Sequence, residues 1–130
     1  MGADQIAQLA RSIAKVYEGV TTPDDAPRFL CTLEATTSSG SPVWIQVLPG
    51  NVNMVYPFTE EPHELLRQKG VRSPPDLYLV EWVPGEYAAF GFIDVPARHH
   101  ASFVDQLFVK ILGCDDSSYV FKTTMEPVDT

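Results

Sequence analysis

The chain predicts an α+β domain, a mainly antiparallel sheet of five to six strands carrying three helices in the order α-β-β-β-α-β-β-α-β. Three observations predict it. Apolar residues recur at helical spacing in two long intervals, they alternate in twos between tight turns elsewhere, and 11 prolines mark where regular structure stops. With 130 residues, 45% of them hydrophobic, the chain has the size of a single domain, 1–130, with one core and no need of disulfides.

The first interval puts Ile6, Leu9, Ala10, Ile13, Val16 and Tyr17 on one helical stripe, with Gly19 as its stop. After "VTTPDDAP" the period changes to two. Phe29, Cys31, Leu33 and Ala35 alternate with Thr32, Glu34 and Thr36, which makes a strand with one wet face. "TTSSGSP" and "PGN" then turn the chain into "VWIQVL" and "VNMVYPF", so three strands follow one another as an antiparallel meander. Thr59 reads as the N-cap of a short helix through "EEPHELLRQK", with acids in its first turn, cations in its last and Gly70 after it. "LYLVEWVPGEYAAFGFID", residues 77–94, is a hairpin about Pro84 and Gly85. Asp94 and Pro96 open the most strongly patterned helix, whose stripe of His100, Phe103, Val104, Leu107, Phe108, Ile111 and Leu112 stops at Gly113. A last alternation of Tyr119, Phe121, Thr123 and Met125 reads as a closing strand.

Charge narrows the choice of partners. A formal net charge of −8 repels phosphate backbones, and the nine Lys and Arg residues are scattered, so nucleic acid is not an expected partner. The acid pairs Asp24–Asp25, Glu60–Glu61 and Asp115–Asp116 sit where loops or helix ends are expected and read as solvated ends. The longest apolar stretch, Tyr87 to Ile93, is far short of the roughly 20 residues that span a bilayer. "MGADQIAQLARSIAKVY" is interrupted by polar residues and has no signal-peptide core, so the expected location is cytoplasmic.

Residues with chemistry read mostly as structure. His99 and His100 diverge by about 100° as helix neighbours, so one ion is not held by both; His99 falls on the wet side and His100 on the apolar stripe. His63 among Glu60, Glu61 and Glu64 offers one imidazole and no second element to complete a metal site, although a metal-assisted reaction there is one hypothesis to test. Cys31 points with its apolar neighbours, and Cys114 follows a helix end before two acids, where a thiolate is disfavoured. No P-loop, dinucleotide fingerprint or nucleophile elbow occurs. No catalytic residue, metal ligand or cofactor is assigned.

The strands are greasier than one core requires. On the first strand of the quoted hairpin, Leu77, Leu79 and Val83 with Glu81 are expected on one face, and Tyr78, Val80 and Trp82 on the other. On its return strand Phe90 and Phe92 oppose Ala89, Gly91 and Ile93, while Val43, Ile45 and Val47 oppose Trp44 and Leu48 in "VWIQVL". A sheet with a solvated face alternates apolar with polar, and these strands do not. Three helices cover one face and part of the other, so a further cover is expected, first of all a second copy of the chain; the alternative is a sheet strongly bent around its own core, with both sets of apolar residues internal. The candidate partner- or ligand-binding residues are Trp44, Leu48, Val80 and Trp82.

Over about residues 3 to 113, the order helix, three strands, helix, two strands, helix resembles the class I type III secretion chaperones and related chaperone-like families, as do the small size and acidic character. The likeness is one of element order and composition without a shared motif, and the strand after Gly113 departs from it. It implies a homodimer without catalytic activity that holds an extended stretch of a partner protein. Two readings follow: a cytoplasmic, dimeric, non-catalytic binding protein using Trp44, Leu48, Val80 and Trp82, or a small-molecule binder with Trp44, Tyr56, Trp82 and Phe90 around an internal pocket for an apolar ligand.

Overall fold

A computed structural model describes residues 2–18, 29–93, 96–115 and 119–128. Its elements are α1 (Gly2–Val16), β1 (Phe29–Thr36), β2 (Pro42–Leu48), β3 (Asn51–Val55), α2 (Pro62–Gln68), β4 (Tyr78–Val83), β5 (Tyr87–Gly91), α3 (Ala97–Gln106) and β6 (Phe121–Pro127). This is the expected α+β order. Each strand pairs antiparallel with its neighbours in one sheet, β4-β5-β3-β2-β1-β6, and the closing strand pairs with β1 of its own chain, Leu33 opposite Thr123. Gly19, Asp24, Asp25, Asp94 and Asp116, expected at turns and helix ends, lie outside the described residues.

All three helices cover the same face of the sheet. Leu9, Ile13 and Val16 of α1 are fully buried, as are Leu33, Ile45, Val47, Val52, Met54 and Phe90 beneath them. Phe103 of α3 meets Phe90 and Phe92 edge to face, with centroids 6.3 and 6.1 Å away, and His63 of α2 meets the same Phe90 at 6.1 Å. Such pairs add about 0.5–1.5 kcal/mol each to the burial of the rings. They fix the helix layer over β3 and β5, while α1 packs on α3 and over β1 and β2.

Local sequence accounts for the joints. The β4–β5 turn has Pro84 second and Gly85 third, with Gly85 at φ 79° and the Glu86 amide donating to the Val83 carbonyl at 3.0 Å, as a type II turn requires. The cap of α2 is Glu61 and not Thr59. Pro62 occupies the first helical position, so the carboxylate just before it is placed to accept from the His63 and Glu64 amides at 3.2 and 3.0 Å. Leu65 and Leu66 are both buried below.

The whole expected stripe of α3, from His100 to Leu112, is buried. Its last part differs from the single α-helix expected. Leu107–Ile111 is a π-helical turn, in which the Leu112 amide donates to the Leu107 carbonyl five residues back at 2.9 Å. Gly113 then turns away at φ 83°, and its carbonyl accepts from the Ser38 amide at 3.0 Å, which anchors the β1–β2 turn.

The expected faces of β4 need correction. Leu79 pairs with Phe90 and Glu81 with Ala89, so Val80 is an extra residue in a β-bulge. Beyond it the alternation shifts by one. Trp82 pairs with Ala88 and packs against the core, while Glu81 and Val83 turn to the opposite face with Tyr78. No helix among the described residues is long and apolar enough to cross a membrane.

Candidate functional site

Among the described residues, nothing covers the face of the sheet opposite the helices. Strand registers set its side chains in three rows that run across the strands. The middle row is polar except at Ala89 on β5: Glu81 on β4, Asn53 on β3, Gln46 on β2, Thr32 on β1 and Thr124 on β6. The Asn53 carboxamide donates to Gln46 Oε1 at 3.2 Å, and Gln46 Nε2 reaches Thr32 Oγ1 at 3.5 Å, so a chain of side-chain hydrogen bonds spans three strands. Asn53 Oδ1 is sheltered and has no hydrogen-bond partner among the described residues. The flanking rows mix apolar with polar groups: Tyr78, Gly91, Asn51, Leu48, Leu30 and Glu126 on one side, and Val83, Tyr87, Val55, Trp44, Glu34 and Lys122 on the other.

This face is concave. Leu30 on β1 and Val80 on β4 border the same depression of about 260 Å³, together with Gln46, Leu48, Asn53, Tyr87 and Ala89. Four strand spacings separate β1 from β4, about 19 Å in a flat sheet, so one small depression touches both only because the sheet bends around it. The Tyr78 ring lies over Gly91, where a Cβ would overlap it. Glycine there lets the ring fold down onto the β5 backbone.

The four candidate residues separate. Leu48 and Val80 border the trough, and Val80 is 52% exposed because the bulge turns it outward. Trp44 lies on the same face but borders a second depression, of about 450 Å³, near Val120 and Lys122. Trp82 belongs to the covered face. Tyr56 and Phe90 are buried in the core, so Trp44, Tyr56, Trp82 and Phe90 do not line one pocket. Leu30, Gln46, Asn53 and Tyr87 were not singled out from sequence. Alternation of Asn51 and Asn53 with Val52 and Met54 marks the outward side of β3, but pairing of β3 with β5 is what brings Tyr87 and Ala89 beside it.

Charge on the strands has one sign in excess. Glu34, Glu81 and Glu126 all face the open side, and Lys122 is the one cation in the six strands. Lys122 stands directly opposite Glu34, which leaves Glu81 at one bank of the trough and Glu126, opposite Leu30, at the other. The Tyr87 hydroxyl donates to the Glu81 carboxylate, and this bond raises the phenol pKa.

The other polar groups serve the fold. His100 is fully buried, with Phe92 edge-on at 4.8 Å and its Nδ1 2.8 Å from the Tyr17 hydroxyl. That hydroxyl also accepts from the Gly50 amide at 3.1 Å, so α1 and α3 are tied to the β2–β3 turn. Burial lowers the His100 pKa to about 4, against a smaller opposing effect of the Asn51 backbone. Cys31 and Cys114 are buried free thiols, each pushed up to about 11 by desolvation, and are not activated nucleophiles.

His63 Nδ1 lies 3.5 Å from Glu61, while Glu64 is held by Arg67 on the exposed face of α2. Among the described residues no group of three or more His, Cys, Asp or Glu side chains is gathered to hold a metal ion. Comparisons with family models, curated proteins and solved structures found no match to this chain.

Proposed function

We propose that this chain is a cytoplasmic, non-catalytic binding protein of the secretion-chaperone kind, a homodimer that holds a segment of a partner protein on the open face of its sheet. The observation that carries this reading is the one-sided arrangement of the helices: the opposite face curves into a trough bordered by Leu30, Leu48, Val80 and Tyr87, with none of the described residues over it. A surface made to meet only water has no use for Leu30, Leu48, Trp44, Val55 and Tyr87 on one face. The self-association surface in this reading is the edge of β4, where Tyr78 and Val80 are 56% and 52% exposed and one side of the backbone is unpaired.

Sedimentation equilibrium tests the dimer, with a mass twice that of the chain expected for the native protein and a shift toward monomer for Val80→Asp. A monodisperse native monomer at micromolar concentration would remove it. An environment-sensitive apolar dye tests the face, with binding expected for the native protein and lost in Leu48→Asp. The competing reading, a small-molecule binder, loses the pocket that its four aromatic residues were to form. It would return if native mass spectrometry found a ligand retained on purification.

A further inference from the structure

We infer that the trough takes an extended, cationic polypeptide segment of another protein, laid across the strands along the polar row. The inference deepens the reading above and rests on it.

Three features point to this occupant. The first is the pattern of the face. A polar row with Leu30 and Leu48 on one side and Tyr87, Val55 and Trp44 on the other complements an extended chain, whose backbone offers donors and acceptors along its axis while its side chains fall alternately to either side. Gln46 and Asn53 carry carboxamides, which both donate and accept, and the unpartnered Asn53 Oδ1 is an acceptor that an incoming amide would satisfy after a small rotation.

Length is the second feature. From Glu81 to Thr32 the row crosses four strand spacings, about 19 Å along the contour of the bent sheet, so the trough spans at most about six residues of extended chain. The third is charge. Glu81 and Glu126 stand on opposite banks without a strand cation beside them, so lysine or arginine near the ends of the segment would be attracted and acids repelled.

The same features disfavour a second copy of the chain in this place. A two-fold contact through the open face would bring Glu81 and Glu126 of one protomer against the acidic face of the other and bury two polar rows. The chain as a whole carries a net charge of −8, which adds to the repulsion.

Fluorescence anisotropy with the full chain tests the inference. One labelled peptide of about six residues alternates valine and threonine between terminal lysines, and a second replaces the lysines by glutamates. The lysine peptide is expected to bind about tenfold more tightly at low salt, with the gap closing as salt rises. Glu81→Lys with Glu126→Lys, both at exposed positions, should reverse the preference, and Leu48→Asp should abolish binding of either peptide.

Equal binding of both peptides would overturn the charge requirement and leave the docking face intact. If neither peptide binds and Leu48→Asp turns a native dimer into monomers, the second copy occupies the trough and this inference falls, but the binding-protein reading stands. If neither binds, the native protein is monomeric and the apolar dye is also refused, both fall together.

Discussion

The two faces of the sheet are built from the same strands, often from adjacent residues, and they differ in what each row of side chains is asked to meet. On β2, Val43, Ile45 and Val47 point into the helix layer and are buried, while Trp44, Gln46 and Leu48 point away and are half-buried. The covered face is apolar across β1 to β5, with Thr123 of β6 the polar exception, and is filled by rings and aliphatic chains. The open face mixes apolar with polar and charged residues in its outer rows, and its middle row is hydrogen-bonded to itself across β3, β2 and β1. A core excludes polar groups it cannot satisfy, whereas a docking face must stay soluble when vacant, and this banded pattern meets both demands.

The comparison breaks first at the aromatic cluster. Phe90→Ala removes a fully buried ring that Phe103 and His63 both contact, and it should lower unfolding free energy by about 3–5 kcal/mol in urea titrations. A loss under about 1 kcal/mol would mean that the helix layer is loosely seated. The covered face would then be no more a core than the open one.

Acid should attack the covered face next, through His100. Its folded pKa of about 4 lies below the ordinary 6.5, so the unfolded chain takes up the proton first as pH falls. The stabilising contribution is therefore complete above pH 6.5 and is lost progressively as pH falls from 6.5 to about 4, amounting to about 3 kcal/mol. Stability measured against pH should steepen over that window in the native protein and flatten in His100→Phe. A similar slope in the variant would place the titrating group elsewhere.

The bulge at Val80 offers a sharper cut, because neighbours on one strand should behave oppositely. Trp82 packs against the core, and Trp82→Ser should cost about 2 kcal/mol of stability, less than a fully buried ring would. Val80→Ser should change stability by less than about 0.5 kcal/mol and be felt in self-association instead. Equal losses at both positions would return β4 to a regular alternation.

That strand also shows where reading the sequence stops. Order and type of the elements were legible because helical stripes, alternating runs, prolines and turn glycines all agree, from Leu9–Ile13–Val16 in α1 to Pro84–Gly85 in the hairpin. The faces of β2 were legible for the same reason. Period-two counting fails at Val80 because a bulge inserts one residue without a glycine to announce it, and it carried Trp82 to the wrong face. The cap of α2 was misplaced by two residues because Pro62, rather than Thr59, decides where the first turn begins.

The trough was legible only as an excess of grease. Its border joins residues of β1, β2, β3, β4 and β5, and the β3–β5 pairing that assembles it bridges more than 30 positions of sequence, as in Asn53 opposite Ala89. Local pattern holds no record of such a partner. Leu48 and Val80 were found by counting outward apolar positions, whereas Gln46 and Asn53 were passed over because polar residues on an outward face attract no notice until their hydrogen bonds are seen to run in line.

The smallest effect gives the finest test, and it uses two consecutive residues. Ile45 and Gln46 differ by one position and point to opposite faces. Ile45→Gln buries a carboxamide in the core and should cost more than about 3 kcal/mol, so that substitution only restates the importance of packing. Gln46→Leu is more informative. It removes the side-chain bonds to Asn53 and Thr32, which are part-exposed and each contribute little in water, and it replaces them with apolar contact to neighbours of the same face. The two changes should nearly cancel, leaving stability within about 0.5 kcal/mol of the native protein. Apolar dye binding and concentration-dependent association should both rise, because the polar row that separates the apolar residues of the outer rows would be interrupted. If Gln46→Leu instead destabilises the monomer by more than about 2 kcal/mol, the hydrogen-bonded row is a structural brace of the sheet, and the open face is specialised for stability before binding.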